Sequence, residues 1–340
     1  MVDKLLEGIH VLQRLTLQKL WNILLLKLSY FISISIKKDI HWGKPFAFSI
    51  EPTTSCNLRC PECPSGLRSF TRPVGSMDYD FYKGIIDQCS SFLSYLILYF
   101  QGEPYLNPKF LDLVQYASKN GIYTVSSTNA HFLDDENARK TIMSGLDKII
   151  ISLDGTDQIS YERYRIGGNY KKVISGIQKL VYWKEKLNKP RPRITLQFLI
   201  LKTNQHQVKD IKNLSRKLKV DQLVLKTGQV YNLDKGSEII PEDEKLSRYK
   251  KINGVYVIKN NLKNRCWRIW SSSVITWDGK IVPCCFDKDA KYVFGDLGKN
   301  RFLEIWNNKS HSRFRKQILS SRKEIDICQN CTEGSNIWVN

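Results

Sequence analysis

Three cysteines near the start of the chain lie close enough together to hold one metal group. Cys56, Cys60 and Cys63 follow the pattern C-x3-C-x2-C. Thiolates are the usual ligands of iron–sulfur clusters. Three of them would hold three irons of a 4Fe-4S cluster and leave the fourth iron open to a small molecule. A zinc ion held by three thiolates and a histidine is the alternative, and His41 is the nearest histidine before the cysteines.

A second group of cysteines lies in the last quarter of the chain. It consists of Cys266, Cys284, Cys328 and Cys331, of which the last two form a C-x2-C pair. Four thiolates would close an iron–sulfur or a zinc site completely. Cys285 competes with Cys284 as a ligand, but adjacent residues on a strand point to opposite faces, so only one should reach the metal.

The elements that must position these cysteines follow a regular alternation. Between residues 45 and 232, short apolar runs alternate with helical patterns. Strands are predicted over residues 46–50, 96–100, 121–126, 148–152, 194–201 and 222–226, and helices over 79–93, 108–118, 135–144, 169–187 and 207–218. Six parallel βα units predict an open sheet or a partial barrel, because a closed TIM barrel needs eight. The first cysteine group directly follows the first strand, at the sheet edge where such folds bind ligands.

The pattern changes after residue 232, and four parts of the chain are predicted. They are an N-terminal amphipathic helical extension (1–43), the core barrel (44–234), a charged linking region (235–264) and a small C-terminal domain (265–340). In the last part, Asp278-Gly279 stands between two apolar runs, which predicts a hairpin over residues 274–282.

These segments together resemble the radical S-adenosylmethionine (radical SAM) enzymes. That family carries a three-cysteine loop after the first strand of a partial (β/α)6 barrel, which is the α/β fold expected here. Gln101 and Gly102-Glu103-Pro104 follow the second strand and resemble the family's Gly-Gly-Glu-Pro segment, with Gln101 in place of the first glycine. The resemblance implies that Gly102, Glu103 and Pro104 receive the amino group of SAM.

Further SAM contacts are implied by two later segments. Ser152 and Asp154 follow the fourth strand and resemble residues that approach the ribose. Arg165 matches an arginine that pairs with the methionine carboxylate, for which a planar guanidinium is well shaped. The position before the third cysteine is often aromatic in the family and touches adenine; here it is Glu62, which is a departure from the pattern.

The C-terminal part resembles the SPASM/twitch extension of radical SAM enzymes. The resemblance implies one auxiliary 4Fe-4S cluster held by Cys266, Cys284, Cys328 and Cys331, because no cysteine follows Cys331 to hold a second one. Of the two remaining cysteines, Cys89 is predicted to be a buried hydrophobic residue of a helix. The predicted cofactors are therefore SAM and two 4Fe-4S clusters.

The resemblance also implies a reaction. A flavodoxin- or ferredoxin-like donor reduces the first cluster, SAM is cleaved to a 5′-deoxyadenosyl radical, and the radical removes hydrogen from a substrate carbon. The auxiliary cluster would accept the second electron in a net oxidation. Lys226 and Gln197, on the sixth and fifth strands, are predicted to face the substrate, although residues of these types at a strand end are more often simply solvated or structural.

The substrate is predicted by analogy alone. The cysteine layout resembles that of an aminocyclitol dehydrogenase of the same subfamily, which favours a carbohydrate- or polyol-like small molecule. Peptide or protein modification is the alternative. The length of the segment before the barrel argues against it, because residues 1–44 are too few for a leader-binding module. A non-catalytic iron–sulfur electron carrier is a third class.

The charge and the N-terminal segment bear on partners. The 340 residues carry a net charge of +20, but the Lys and Arg residues are spread, so nucleic acid is disfavoured as a partner. An amphipathic helix over residues 4–28 is expected either to pack on its own domain or to lie on an anionic membrane. Because no signal peptide is recognised, we predict a cytoplasmic protein. If the helix lies on a membrane, the protein is peripheral to that membrane.

Overall fold

The computed structural model describes residues 8–230 and 238–332 of the chain. The strands are β1 (Ala47–Ile50), β2 (Tyr95–Ile97), β3 (Tyr123–Thr128), β4 (Lys148–Ser152), β5 (Arg193–Ile200), β6 (Gln222–Thr227), β7 (Tyr249–Ile252), β8 (Val255–Ile258), β9 (Ser272–Ile275), β10 (Lys280–Val282) and β11 (Gly295–Asp296). The helices are α1 (Leu17–Ile36), α2 (Pro64–Leu67), α3 (Tyr79–Cys89), α4 (Phe110–Lys119), α5 (Asp135–Met143), α6 (Gln158–Tyr164), α7 (Tyr170–Lys186), α8 (Val208–Lys217), α9 (Arg268–Ser271), α10 (Phe302–Trp306), α11 (Lys309–Ser321) and α12 (Asp326–Gln329).

The chain divides into two compact units. Among the described residues, unit 1 comprises residues 8–55, Phe70–Val125 and residues 262–332. In it, β1 pairs in parallel with β2 on one side and with β9 on the other, and β2 pairs in parallel with β3. β9 and β10 form an antiparallel hairpin, to which β11 adds. The hairpin predicted at Asp278-Gly279 is confirmed, and Gly279 has φ +85°, as such a turn requires.

Among the described residues, unit 2 comprises Cys56–Ser69 and residues 126–230 and 238–261. β4, β5 and β6 form parallel pairs here. The inner residues of β5 are fully buried because parallel strands are covered by helices on their faces. The predicted mixed α/β fold, with six core strands in sequence order, is confirmed.

The region predicted as charged and irregular contains a second small sheet. β7 and β8 pair in antiparallel fashion around Asn253 and Gly254, which both have positive φ. Tyr249 packs with Val230 and Ile240 in a small core beneath this hairpin. The Asn-Gly turn between two alternating runs was the available signal for it. Residues 235–237 of the predicted linking region, the core boundary at 234 and residues 333–340 lie outside the described residues.

The N-terminal helix is shorter and lies further along the chain than the amphipathic helix predicted over residues 4–28. Residues 8–12 are helical, and α1 begins after Thr16, whose hydroxyl accepts from the Lys19 amide, and ends at Ile36. The predicted start at Lys4 lies outside the described residues. By length and composition alone α1 could cross a membrane, a test that buried core helices and signal sequences also pass.

Candidate iron–sulfur and SAM site

The first cysteine group lies in a loop of unit 2 that is closed by a short helix. Cys60 is buried, and its carbonyl accepts from the Cys63 amide at 3.2 Å. α2 then begins directly after Cys63. A Cβ on Gly66 would come within 2.6 Å of the Cys60 amide nitrogen, so only glycine allows this helix to lie so close to the cysteine backbone.

Arg165 connects this loop to the segment after β4. Its Nε donates to Asp154 Oδ2 at 2.6 Å, and its Nη1 lies 3.8 Å from Cys60 Sγ. Asp154 is fully buried and its other oxygen accepts from the Leu199 amide at 2.7 Å. Burial raises the pKa of Cys60, and the adjacent guanidinium of Arg165 partly offsets that rise. Asp154 and Arg165 therefore lie together at the cysteines, with both oxygens of the carboxylate already holding donors.

Two residues that the sequence did not single out complete the surroundings of the loop. Asn129 donates through Nδ2 to Asn57 Oδ1 at 2.8 Å and lies 4.0 Å from Cys56 Sγ. His131 contacts Asn129 through Nδ1 and accepts from the Asn169 amide through Nε2 at 2.8 Å. Asn129 directly follows β3, and the end of a parallel strand was the signal that could have identified it.

The Gly102 segment lies against the turn that precedes the first cysteine, within unit 1. Gly102 has φ +72°, and a Cβ there would come within 2.2 Å of the Thr53 carbonyl oxygen. The Glu103 amide donates to the Ser55 carbonyl at 2.7 Å, and the Glu103 carboxylate accepts from the Tyr105 amide beyond Pro104. Glycine is thus required at this position for the two backbones to meet.

The remaining predicted residues of the core lie on neighbouring strands. Ser152 is in register with Gln197, and Leu199 with Lys226. Because residues in register point to the same face and alternate residues share a face, Gln197 and Lys226 lie on one face of the β5–β6 pair. Gln197 is half-buried, and Lys226 is exposed.

A cleft of about 500 Å³ opens beside the cysteine loop in unit 2. It is lined by Pro61, Glu62, Arg163, Tyr164, Leu201, Thr203, Glu238 and Ile239. Glu62, the residue that departs from the expected pattern, therefore lies at the edge of a cleft, next to the end of β5. The volume of the cleft suits a small-molecule ligand.

The second group of cysteines also comes together, within unit 1. Burial raises the pKa of Cys284 well above its ordinary value, and the negative charges of the adjacent Cys285 and then of Cys266 and Cys331 raise it further. The same neighbours act on Cys328, whose pKa burial raises to about 11. Cys285 is instead exposed, with its sulfur 3.9 Å from Arg268 Nη1.

A buried arginine lies among these cysteines. Arg322 is 2% exposed and its Nη2 donates to Cys331 Sγ at 3.4 Å, while Nη1 donates to the Arg265 carbonyl at 2.6 Å. Burial opposes its charge, but the thiolates of Cys266, Cys331 and Cys328 raise its pKa above the ordinary value. A buried cation of this kind fits a site that holds several negative charges.

The donor sets fit iron–sulfur clusters better than single ions. Among residues 8–230 and 238–332, no three His, Cys, Asp or Glu side chains lie close enough to hold one metal ion. A four-iron cluster separates its thiolates more widely than a single ion does. The thiols of each group repel one another, an arginine guanidinium lies beside each group, and every donor is sulfur, which is the donor chemistry of an iron–sulfur cluster.

Comparison with known proteins agrees with this chemistry. The profile of the Radical SAM superfamily matches residues 50–181, and that of the SPASM iron-sulfur cluster-binding domain matches residues 266–332. The first range contains the cysteine loop and Arg165, and the second contains the four later cysteines.

The chain is also similar to individual proteins whose names refer to different reactions. The chain is 26% identical over 315 residues to a tungsten-containing aldehyde ferredoxin oxidoreductase cofactor-modifying protein of Pyrococcus furiosus, covering 83% of this chain and 86% of that one. It is 24% identical over 295 residues to the S-adenosyl-L-methionine-dependent 2-deoxy-scyllo-inosamine dehydrogenase of Niallia circulans, covering 84% and 92%. The fold matches that of Streptococcus suis SuiB bound to the precursor peptide SuiA, with a TM-score of 0.61, 14% identity, and 90% and 74% coverage.

Both profiles match where the cysteines lie, and the relatives align over most of the chain. The radical SAM domain implies a 4Fe-4S cluster and SAM as cofactors, and the SPASM domain implies auxiliary iron–sulfur ligation. The chain therefore belongs to the radical SAM superfamily and carries a SPASM-type iron–sulfur domain.

Proposed function

We propose that this protein is a radical SAM oxidoreductase that oxidises a carbohydrate- or polyol-like small molecule. The observation that carries the proposal is the convergence of Cys266, Cys284, Cys328 and Cys331 around the buried Arg322. These four thiolates would hold a 4Fe-4S cluster with every iron ligated by the protein, and such a cluster would supply an electron acceptor rather than a substrate site. An electron acceptor is what a net oxidation requires.

The residues described above divide between the two clusters. Cys56, Cys60 and Cys63 hold the cluster that binds SAM, and the four later cysteines hold the auxiliary cluster. When bound, the first cluster and SAM supply the 5′-deoxyadenosyl radical, and the auxiliary cluster supplies an electron sink.

The chain's own residues position SAM and exclude alternatives. Arg165 presents its remaining guanidinium nitrogens to the methionine carboxylate. Asp154 orients Arg165 and does not contact the ribose, because both carboxylate oxygens of Asp154 already accept hydrogen bonds. Ser152 is left to approach the ribose. Gly102, Glu103 and Pro104 present backbone groups to the amino group of methionine.

The substrate lies on the face that Gln197 and Lys226 share. Gln197 is suited to hydrogen-bond a hydroxyl group in either direction. The neutral amine form of a lysine at a strand end is suited to receive the proton that the substrate hydroxyl releases once its carbon has lost a hydrogen atom, which is the role we assign to Lys226. The oxidation would then balance: the substrate carbon would lose a hydrogen atom to the radical that SAM supplies, its hydroxyl would lose a proton to Lys226, and the auxiliary cluster held by the four later cysteines would supply the acceptor for the remaining electron.

Two of the relatives support a small-molecule substrate. The name of the N. circulans relative states that it dehydrogenates 2-deoxy-scyllo-inosamine, an amino polyol. The name of the P. furiosus relative refers to modification of a cofactor. Peptide modification is the second candidate, favoured by the fold match to a protein that is bound to its precursor peptide.

The external partners follow from the proposal. Reduction of the first cluster requires a one-electron donor, for which a flavodoxin- or ferredoxin-like protein is proposed. Such proteins are acidic, and the net charge of +20 would favour the encounter. A cytoplasmic location is proposed because the thiols must stay reduced.

The test is anaerobic turnover with candidate substrates deuterated at the hydroxyl-bearing carbon. We expect deuterium in 5′-deoxyadenosine and a product that has lost one deuterium and one hydrogen. The variant Lys226→Met should still transfer deuterium but form the oxidised product slowly, whereas Lys202→Met, an exposed lysine paired with Glu242, is the matched control. Deuterium transfer from a peptide, with none from any polyol, would replace this proposal with the second candidate.

A further inference from the structure

The helix α1 buries its polar face and exposes its apolar face, which is the opposite of an ordinary surface helix. The residues buried against the rest of unit 1 are Lys19, Asn22, Leu26, Ser29 and Ser33, of which only one is aliphatic. They recur at intervals of three and four residues, so they form one stripe along the helix. The opposite stripe is apolar and exposed, and it consists of Leu17, Leu20, Trp21, Leu24, Leu28 and Phe31.

Hydrogen bonds fix this orientation. Asn22 Nδ2 donates to the Lys44 carbonyl at 2.7 Å, and Asn22 Oδ1 accepts from the Lys44 amide at 2.8 Å. Ser33 Oγ donates to the Ile40 carbonyl at 2.8 Å and accepts from the Ile40 amide at 3.0 Å. The Tyr30 ring packs edge-on against Trp270 at 5.4 Å. Rotation of the helix would break these paired bonds, so the apolar stripe faces outward permanently.

The exposed stripe is large and aromatic. Leu17 is 86% exposed, Trp21 61% and Phe31 59%. Single exposed apolar residues are ordinary, but a row of six on one helix face marks an interaction surface. Tryptophan is enriched where an apolar phase meets water.

The charge around the stripe identifies what it contacts. No Asp or Glu occurs between residues 17 and 36, and Lys27, Lys37 and Lys38 are exposed on and after the helix. The nearest acidic residue downstream, Asp39, is turned inward and paired with Arg315 at 2.7 Å. A second copy of this chain would bring like charges together in a two-fold contact. An anionic bilayer complements both the apolar stripe and its basic surround.

We propose that α1 is an in-plane membrane anchor that docks this protein on anionic lipid surfaces through the stripe from Leu17 to Phe31. The anchor lies on the membrane and does not span it, because its polar stripe is hydrogen-bonded into unit 1 and would otherwise be surrounded by lipid. The sequence predicted membrane contact over residues 4–28; the structure assigns it to a later segment. The inference is independent of the substrate proposed above.

The test is cosedimentation of the full, cluster-loaded chain with vesicles of phosphatidylcholine alone and of phosphatidylcholine with phosphatidylglycerol. We expect binding to the anionic vesicles, weakened by high salt, and little binding to the neutral ones. The double variant Trp21→Glu/Phe31→Glu should lower the bound fraction about tenfold or more. Circular dichroism melting establishes that the variants are folded.

The matched control changes two exposed apolar residues elsewhere. Ile252→Glu/Val255→Glu adds the same two charges at residues that are also exposed, and it should bind as the unaltered chain does. Equal binding of the α1 variant and the control, or no binding of the unaltered chain, overturns the proposal. A lipid-free dimer in sedimentation velocity that Trp21→Glu/Phe31→Glu breaks would also overturn it, in favour of a second copy. Resistance of bound protein to alkaline carbonate extraction would overturn the in-plane placement.

Discussion

Replacing Arg322 by glutamine should make the auxiliary cluster harder to reduce. The guanidinium is 2% exposed and donates to Cys331 Sγ at 3.4 Å, so it lies beside the negative charge that reduction increases. A fixed cation stabilises the reduced cluster more than the oxidised one, and its removal lowers the reduction potential. Because the auxiliary cluster is the proposed electron acceptor, the Arg322→Gln protein should also oxidise its substrate more slowly.

The magnitude follows from the distance. The added charge spreads over the whole cluster, so an effective separation of about 8 Å and an effective dielectric constant of about 20 give about 2 kcal/mol. For a one-electron couple this is a fall of about 90 mV. Arg322→Lys, which keeps the charge, should recover most of the potential.

The assay is a redox titration followed by electron paramagnetic resonance. Arg313→Gln is the matched control, since it removes the same charge from an exposed position on α11 and should leave the potential within error. Iron and sulfide content must match the unaltered protein. An Arg322→Gln protein with a full auxiliary cluster and an unchanged potential would refute the reasoning.

Three further predictions address the core and its stability. Alanine at all three cysteines of the first loop should abolish reductive SAM cleavage and lower iron by about half, from about eight per chain; retained 5′-deoxyadenosine formation would contradict the ligand assignment. Asp154→Asn should weaken SAM binding about tenfold, measured by calorimetry, because Arg165 loses a buried charged partner at 2.6 Å; unchanged affinity would exclude that orienting role. Burial and then Arg315 lower the pKa of His41 to about 4, below its ordinary 6.5. Below pH 6.5 the unfolded chain therefore takes up a proton that the folded chain resists. The free energy of unfolding should then decrease as the pH is lowered, by about 2 kcal/mol at pH 5. In urea unfolding at pH 7 and pH 5 His41→Phe should reduce that loss, and an identical pH dependence in both proteins would show that His41 does not cause it.

The parts of the fold that local patterns specify could be predicted well. Each of the six core strands lies within a few residues of its predicted position, because an apolar run bounded by polar turns is a local signal. The β9–β10 hairpin could be predicted for the same reason, from Asp278-Gly279. The Asn253-Gly254 hairpin carried the same kind of signal, but the many surrounding charges favoured an irregular interpretation.

Contacts between distant segments could not be predicted. Asp154 was assigned to the ribose, and nothing in its local sequence indicates that the Leu199 amide would occupy one of its oxygens. Arg322 lies six residues before Cys328, with no motif to indicate that its side chain turns back to the cysteines. Periodicity gives the spacing of helix faces, but it does not say which face is inside; in α1 paired hydrogen bonds of Asn22 and Ser33 decide this against hydrophobicity.

The most direct test of the central claim is to measure 5′-deoxyadenosine and oxidised product in parallel after anaerobic reduction of the cluster-loaded protein with SAM and a polyol substrate. Removal of Cys328 and Cys331 should leave SAM cleavage in place while oxidised product is lost, since only the electron acceptor is then missing. Formation of oxidised product at an unchanged rate without those two cysteines would contradict the account.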